Sequence, residues 1–189
     1  MSNEPNPADW NNSVYLRLDW EGRPYLRVKS LRLDGADIAG DLEAPALPEL
    51  QWLSLTENPR LTSLRGLKNL PKLDSLWVNN TGLTELNLKG NPALTTLLAD
   101  RTKLAALDLS GNTSLKQLNL NGVSLPRLDL TGLTKLRHLE VGSPRLTRLE
   151  ISSLPDLKKQ KSYRETRIGA SAGAKNTEPV GFAIKRIDD

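Results

Sequence analysis

The sequence contains no cysteine and only one histidine, His138. Without thiols this chain can form no disulfide, thiolate metal site, thiol nucleophile or redox switch. A single imidazole cannot build a multi-histidine metal site, and it leaves at most one base for a serine or threonine nucleophile. We therefore expect no catalytic residue, no metal site and no cofactor, and we predict that the chain is not an enzyme.

Long hydrophobic runs are absent as well. No segment approaches the ~18 apolar residues that a membrane-spanning helix needs. The start, MSNEPNPADWNN, lacks the basic and then apolar composition of a Sec-type signal. We therefore expect a soluble chain with no transmembrane segment, either cytoplasmic or exported without a cleavable Sec-type signal.

An excess of positive charge occurs only near the C-terminus. Residues 158–189 hold 8 Lys and Arg against 4 Asp and Glu, which equals the whole net charge of +4. Because phosphate contacts dominate nucleic-acid affinity, a binder of this kind would carry its basic residues on the main body. A nucleic-acid partner is therefore not favoured. Binding of nucleic acid or a membrane surface remains a weaker alternative that would depend on Lys158, Lys159, Lys161, Arg164 and Arg167.

What the sequence does contain is a leucine repeat. Alignment of the chain with itself gives four gapless units of 21 residues, at 73–93, 94–114, 115–135 and 136–156. Each unit begins with leucine, has a second leucine three residues later, and repeats the rhythm in its second half at Leu86, Leu107, Leu128 and Leu149. Self-similarity at a fixed period of this length is typical of solenoids, whose units bury their apolar rows by stacking.

The LxL triplets within each unit have the period-2 alternation of a short strand, with leucines inward and the residues between them outward. We therefore predict a right-handed solenoid of mainly parallel strands with little helix, and with strands in both halves of the 21-residue units. The solenoid is expected over 29–157. A tail and hairpin-like cap are expected over 1–28, and a basic tail or cap over 158–189.

Caps are expected because the ends of a solenoid expose a leucine layer and strand edges. Two alternating runs in 13–33, joined by EGRP, predict a hairpin packed by Trp10, Tyr15, Trp20 and Tyr25. The stretch 180–187 alternates like an edge strand. It either returns to close the last repeat or belongs to a mobile tail.

The repeats resemble those of bacterial leucine-rich-repeat proteins. The segment 47–69 carries an LxxLxLxxN pattern that ends at Asn58 and looks like an internalin-type repeat, whereas 73–156 resembles the IRREKO class, in which each 21-residue unit nests two half-repeats. In such repeats the asparagine satisfies backbone groups at the turn after each strand. The chain departs from this pattern at Thr81, Thr102, Val123, Leu133, Pro144 and Leu154, so these turns must use other partners or apolar packing.

Because the leucines are structural, recognition must depend on outward residues. The strands around Leu31, Leu53, Leu76, Leu97, Leu118 and Leu139 form the first face, which we expect to be the main concave sheet. Trp52, Trp77 and Leu98 fall on successive strands of this face, and clustered aromatics among polar groups are typical of interface hot spots. The predicted partner-binding residues are Trp52, Trp77, Leu98, Asn79, Asp100, Asn119 and Glu140.

Alternatives remain open at each candidate site. The tryptophans could instead pack under a loop or cap, or stack against a sugar or a base. On the second face, Asp108, Asp129 and Glu150 form one column beside Arg127 and Arg148, and a solvated charge ladder is favoured over a Ca²⁺ site. His138 beside Glu140 lacks an accompanying nucleophile motif, which disfavours catalysis there.

The sequence therefore predicts a non-catalytic scaffold for protein–protein interaction, of bacterial type, that binds a protein partner through the outward residues of its strands. We expect it to be a monomer. The alternative is a substrate-recognition module of a larger enzyme, effector or toxin system. The bacterial ubiquitin ligases built on leucine-rich repeats use a catalytic cysteine, which this chain does not have.

Overall fold

The fold is a stack of short parallel strands. A computed structural model describes residues 28–146, Leu149 and Leu154, together with two further strands near the C-terminus. In chain order the strands are β1 Ser30–Arg32, β2 Gly40–Glu43, β3 Trp52–Ser54, β4 Leu61–Arg65, β5 Ser75–Trp77, β6 Thr96–Leu98, β7 Gln117–Asn121, β8 His138–Ser143, β9 Tyr163–Ile168 and β10 Gly181–Arg186. A 3-10 turn covers Leu67–Asn69. Eight strands form one sheet in the order β1-β3-β5-β6-β7-β8-β10-β9, and β2 pairs with β4 in a second sheet.

The register of the large sheet follows the leucine period. The strands β1, β3, β5, β6, β7 and β8 pair in parallel, with the central leucines of neighbouring strands directly opposite one another. A shift of one residue would turn every leucine to the solvent, so burial of one face determines the register. The predicted solenoid of mainly parallel strands with little helix is confirmed.

The core is one continuous column of leucine side chains. Leu53, Leu76, Leu97 and Leu139 are each 0% exposed, and they belong to a single cluster that extends from Ile38 to Leu154. Each enclosed leucine contributes about 1.5–3 kcal/mol relative to an exposed one. Because every turn covers the leucines of the turn before it, the sheet is a stable platform for its outward side chains.

The second halves of the units differ from the prediction. In the N-terminal turns they do form strands, since β2 and β4 pair in parallel. In the 21-residue units, however, the described second-half triplets at 86–88, 107–109 and 128–130 contain no strand, and this part of the prediction is corrected. The reason lies in Asn87, Asp108 and Asp129. Each accepts at Oδ1 the backbone N–H two residues further on, which competes with a ladder between strands.

Three kinds of buried side chain occupy the turn position after the strands: asparagine amides, threonine hydroxyls and apolar groups. Asn58 donates through Nδ2 to three backbone carbonyls and accepts the N–H of Ile38, and Asn91 and Asn112 each donate to two carbonyls. Thr81 and Thr102 instead donate their hydroxyls to the carbonyls three residues earlier. Val123, Leu133 and Leu154 take the same place as buried apolar groups. Pro144 is exposed, so this departure is not filled by apolar packing, whereas the other five use a hydroxyl or a buried apolar group as the sequence indicated.

The segment 180–187 was predicted either to return to the last repeat or to belong to a mobile tail, and its strand β10 returns to the sheet. Strand β10 pairs antiparallel with β8, with Phe182 opposite Ser143 and Ile184 opposite Val141, and β9 pairs with its other edge. The predicted N-terminal hairpin and its packing residues Trp10, Tyr15, Trp20 and Tyr25 lie outside the described residues. The described part of the chain contains no helix that could span a membrane.

Candidate partner-binding surface on the parallel sheet

Three columns of side chains cross the first face, and the strand register places each candidate residue in one of them. The first column holds Trp52, and the second holds Trp77, Leu98, Asn119 and Glu140 in that order. Asn79 and Asp100 follow two residues after Trp77 and Leu98 and therefore lie in a third column, which Asn121 continues. The structure thus gathers all seven predicted residues on one surface.

The two tryptophans contact each other directly. Their ring centroids lie 5.1 Å apart with the ring planes at 84°, an edge-to-face arrangement, and both residues are half-buried. Such pairs contribute about 0.5–1.5 kcal/mol beyond the area that they bury. Leu98 is half-buried beside Trp77. Together Trp52, Trp77 and Leu98 form a partly exposed apolar patch on an otherwise polar face.

Two details beside this patch were not expected from sequence. Ser54 follows the inward Leu53, and the strand alternation therefore predicts that it faces outward; it is fully buried, and its hydroxyl donates to the Asp34 carboxylate. That carboxylate also accepts the backbone N–H of Thr56 at 2.9 Å and pairs with Arg32 at 2.6 Å. The indole N–H of Trp77 is buried with no hydrogen-bond partner. Packing, and not a hydrogen bond, therefore holds the Trp77 ring in place.

Next to the apolar patch lies a group of amides and carboxylates. Both Asn119 and Asn121 donate to the same carboxylate oxygen of Glu140, at 3.1 and 2.9 Å. The side-chain oxygen of Asn119 accepts the backbone N–H of Asn121 at 3.0 Å, which fixes the orientation of the first amide. On the preceding strands, Asn79 accepts the backbone N–H of Asp100 at 3.2 Å. These bonds hold Glu140 in a defined position on the surface.

One edge of the face is a column of left-handed backbone. Gly35, Glu57, Asn80, Arg101 and Gly122 all have positive φ, between 51° and 75°. In each case the backbone N–H donates to a carbonyl of the next turn, so the conformation extends the sheet ladder. Glycine is the residue that adopts it without strain, and glutamate and arginine are unusual there. Sequence analysis missed this column, although the glycines at both of its ends were a signal.

The described part of the second face carries one ion pair, and the predicted ladder of Asp108, Asp129 and Glu150 with Arg127 and Arg148 stays a prediction. Lys89 pairs with Asp108 at 3.3 Å, and both groups are largely exposed. Hydrogen bonds from the Ser110 hydroxyl and N–H, and then from Lys89, lower the pKa of Asp108. The Thr131 hydroxyl and N–H lower that of Asp129. No group of three metal-binding side chains occurs among the described residues, and Arg148 and Glu150 lie outside them.

An open cavity of about 870 Å³ also lies on the second face. Its floor includes Leu64, Leu86 and Leu107, and its rim includes Arg65 and Lys89. It lies beside β4, at the point where the two-stranded sheet ends and the turns at Asn87 and Asp108 follow. Glu85 and Asp108 also line it, so its charge is mixed and its chemistry favours no particular ligand.

No family model matches the chain, and no curated protein sequence matches it. Among solved structures, the functional domain of InlJ from Listeria monocytogenes, which includes a cysteine ladder, is 23% identical with a TM-score of 0.48, covering 69% of this chain and 38% of that one. An internalin from the same organism, inlF, is 22% identical with a TM-score of 0.47, covering 71% and 46%. A leucine-rich-repeat protein of Leptospira interrogans is 17% identical with a TM-score of 0.28, covering 84% and 63%.

The chain thus spans less than half the length of the two Listeria structures that it matches. At these identities the likeness concerns the fold alone. The 21-residue period, the parallel register and the leucine column are properties of this chain itself. On those properties the chain is a leucine-rich-repeat solenoid.

Proposed function

We propose that the chain is a non-catalytic scaffold that binds a protein partner on the first face of its parallel sheet. One observation carries the proposal: Trp52, Trp77 and Leu98 stay half-exposed on a platform whose central leucines from β3 to β8 are buried. Exposed apolar clusters ringed by polar groups mark interaction sites more often than they serve stability. Tryptophan is also among the residues that contribute most to protein interfaces.

The dimensions of the sheet support this function. Six parallel strands at about 4.8 Å spacing give a strip about 24 Å long, which suits a contact of roughly 800 Å² per partner. The strands are fixed by the leucine column beneath them. A partner would therefore meet a preorganised surface and would pay little entropy to order it.

Affinity capture with quantitative mass spectrometry tests the proposal. The intact protein and a Trp52→Ala/Trp77→Ala variant are used as baits in the same whole-cell extract. A Glu85→Ala variant, altered on the second face, serves as the matched control. We expect a partner that the wild type and the control retain and that the tryptophan variant loses. Partners retained equally by all three baits would exclude the first face as the binding surface.

A further inference from the structure

The sequence contains one Asn-Gly dipeptide, Asn121–Gly122, at the end of β7. In such a dipeptide the backbone nitrogen of glycine can attack the side-chain carbonyl carbon of asparagine, because glycine has no side chain to hinder the approach. A five-membered ring forms, and the side-chain nitrogen leaves as ammonia together with the proton of the glycine N–H. Water then opens the ring at either carbonyl, which leaves aspartate or isoaspartate in place of asparagine. Every other asparagine of the chain precedes a larger residue.

The reacting peptide group is held by both neighbouring turns. The carbonyl of Asn121 accepts the N–H of Arg101 at 2.7 Å, and the N–H of Gly122 donates to the carbonyl of Gly142 at 2.7 Å. The attack requires loss of the proton on the glycine nitrogen, and a short bond to a carbonyl keeps that proton in place. Bonds on both sides also resist rotation of the peptide plane. The sheet therefore opposes the reaction at the nucleophile.

The side chain of Asn121 is held as well. Its Nδ2 donates to Oε2 of Glu140 at 2.9 Å, and the residue is half-buried. Its Oδ1 lies over β8, where a Cβ on Gly142 would come within 3.0 Å of it. Residues of β8, the next turn of the solenoid, therefore position both the attacking nitrogen and the group that it must attack.

We propose that Asn121 is a site of spontaneous deamidation that the turn of β8 protects and that reacts when this turn opens. Each turn of a solenoid contacts only its neighbours, so turns near an end open at a lower free energy than turns in the middle. In the described sheet β8 is the last of the parallel strands, and opening from the C-terminal end reaches it before β7. The N–H of Gly122 and the Nδ2 of Asn121 then lose their partners together. This inference is independent of the proposed function.

The reaction acts in one direction. Aspartate at position 121 has no Nδ2 to donate, and its carboxylate faces that of Glu140 across the distance that a hydrogen bond now bridges. Like charges on adjacent strands destabilise their pairing. Isoaspartate places an additional methylene in the backbone, so the residues before and after it cannot both stay in register with β8. Each product weakens the closed form, and the modification thus records that the C-terminal part of the solenoid has opened.

Peptide mapping by mass spectrometry tests the protection. The intact protein and a synthetic peptide of residues 117–127 are incubated side by side at physiological temperature and mildly alkaline pH. Trypsin releases the same peptide from the protein, because it follows Lys116 and ends at Arg127, and a sample taken before incubation corrects for reaction during digestion. Asn119 precedes leucine and serves as an internal control. We expect Asn121 to deamidate at least about tenfold more slowly in the folded protein, because the rate follows the open population. Equal rates in protein and peptide would overturn the proposal.

Two leucine variants test whether β8 is the protecting turn. Leu139→Ala removes a fully buried side chain of β8, and Leu53→Ala removes an equally buried one on β3, nearer the other end of the stack. Leu139→Ala should speed deamidation of Asn121 by about tenfold or more, and Leu53→Ala should have a smaller effect. Val141→Ala is a smaller truncation on β8 that replaces Leu139→Ala if that variant does not fold. Equal acceleration from both ends would show that Asn121 reacts only after global unfolding and would overturn the role assigned to β8.

A substitution that mimics one product tests the one-way character. Asn121→Asp should lower Tm by a few degrees, because it removes the bond to Glu140 and adds a like charge beside it. Asn87→Asp is the matched control, since position 87 is exposed on the second face and aspartate retains the oxygen that accepts the N–H of Lys89. An unchanged Tm in Asn121→Asp would show that the modified turn closes again and would overturn the one-way character.

Discussion

Trp52 and Trp77 lie on neighbouring strands in diagonal positions, and their rings meet edge to face at 5.1 Å. Trp52 is directly opposite Ser75, and Trp77 is directly opposite Ser54, so two small residues leave room for two large rings. The two rings therefore stabilise each other while part of each ring remains exposed to solvent. This arrangement allows the structural and the binding contributions of Trp77 to be measured separately.

Truncation of Trp77 should affect binding more than stability. Trp77→Ala removes the edge-to-face contact, which is worth about 1 kcal/mol beyond the area that the half-buried ring covers, and should lower Tm by a few degrees. If the ring is a hot spot, the same change should weaken partner binding by ~2 kcal/mol or more, about thirtyfold. Calorimetric melting and titration with the partner check both quantities. A large loss of Tm without a binding defect would assign the ring to packing alone.

The leucine column predicts a sharp contrast between neighbouring positions. Leu97 and Leu118 are 0% and 1% exposed, so Leu97→Ala or Leu118→Ala should cost about 2–5 kcal/mol of the free energy of unfolding. Lys116 is exposed, and Lys116→Ala should stay within about 0.5 kcal/mol. Denaturant titrations measure these costs. Equal costs at the two kinds of position would contradict the inward and outward assignment.

The left-handed column predicts opposite effects of glycine and alanine. Gly122 has φ of 75°, and Gly122→Ala should destabilise the fold by about 1–2 kcal/mol because a Cβ disfavours this conformation. Arg101 has φ of 55°, so Arg101→Gly should be neutral or stabilising by up to about 1 kcal/mol. Urea unfolding of the two variants beside wild type tests the pair. A clear loss in Arg101→Gly would show that the arginine side chain stabilises the turn.

Acid should weaken the fold through the second face. Hydrogen bonds from Thr131 lower the pKa of Asp129 in the folded chain, so the stabilisation is present above the unfolded pKa of about 3.9 and is lost as pH falls through the lower folded value. Asp129→Asn retains an acceptor for the Thr131 N–H and cannot be protonated in this range. Its urea midpoint should therefore change less between neutral pH and about pH 3 than that of wild type. An identical pH profile would show that Asp129 does not contribute.

The sequence by itself determined the repeat, the register and the core. Leu76, Leu97 and Leu118 must lie directly opposite one another, because only an in-step stack buries every leucine. It also brought Trp77 and Leu98 into one column, since equal spacing along the chain becomes adjacency across the sheet. These features depend only on the period and are independent of any particular side-chain conformation.

Only the tertiary structure decided how the side chains use those positions. The bonds from Asn119 and Asn121 to Glu140, the contact between Trp52 and Trp77, and the burial of Ser54 depend on rotamers that neighbours on other turns select. The prediction of strands at the second-half triplets was wrong for a related reason. Their apolar pattern suits a strand, but the side chains of Asn87 and Asp108 bind the local backbone and end the ladder. A periodic pattern specifies which residues face the core, whereas competing hydrogen bonds decide whether the backbone between them pairs.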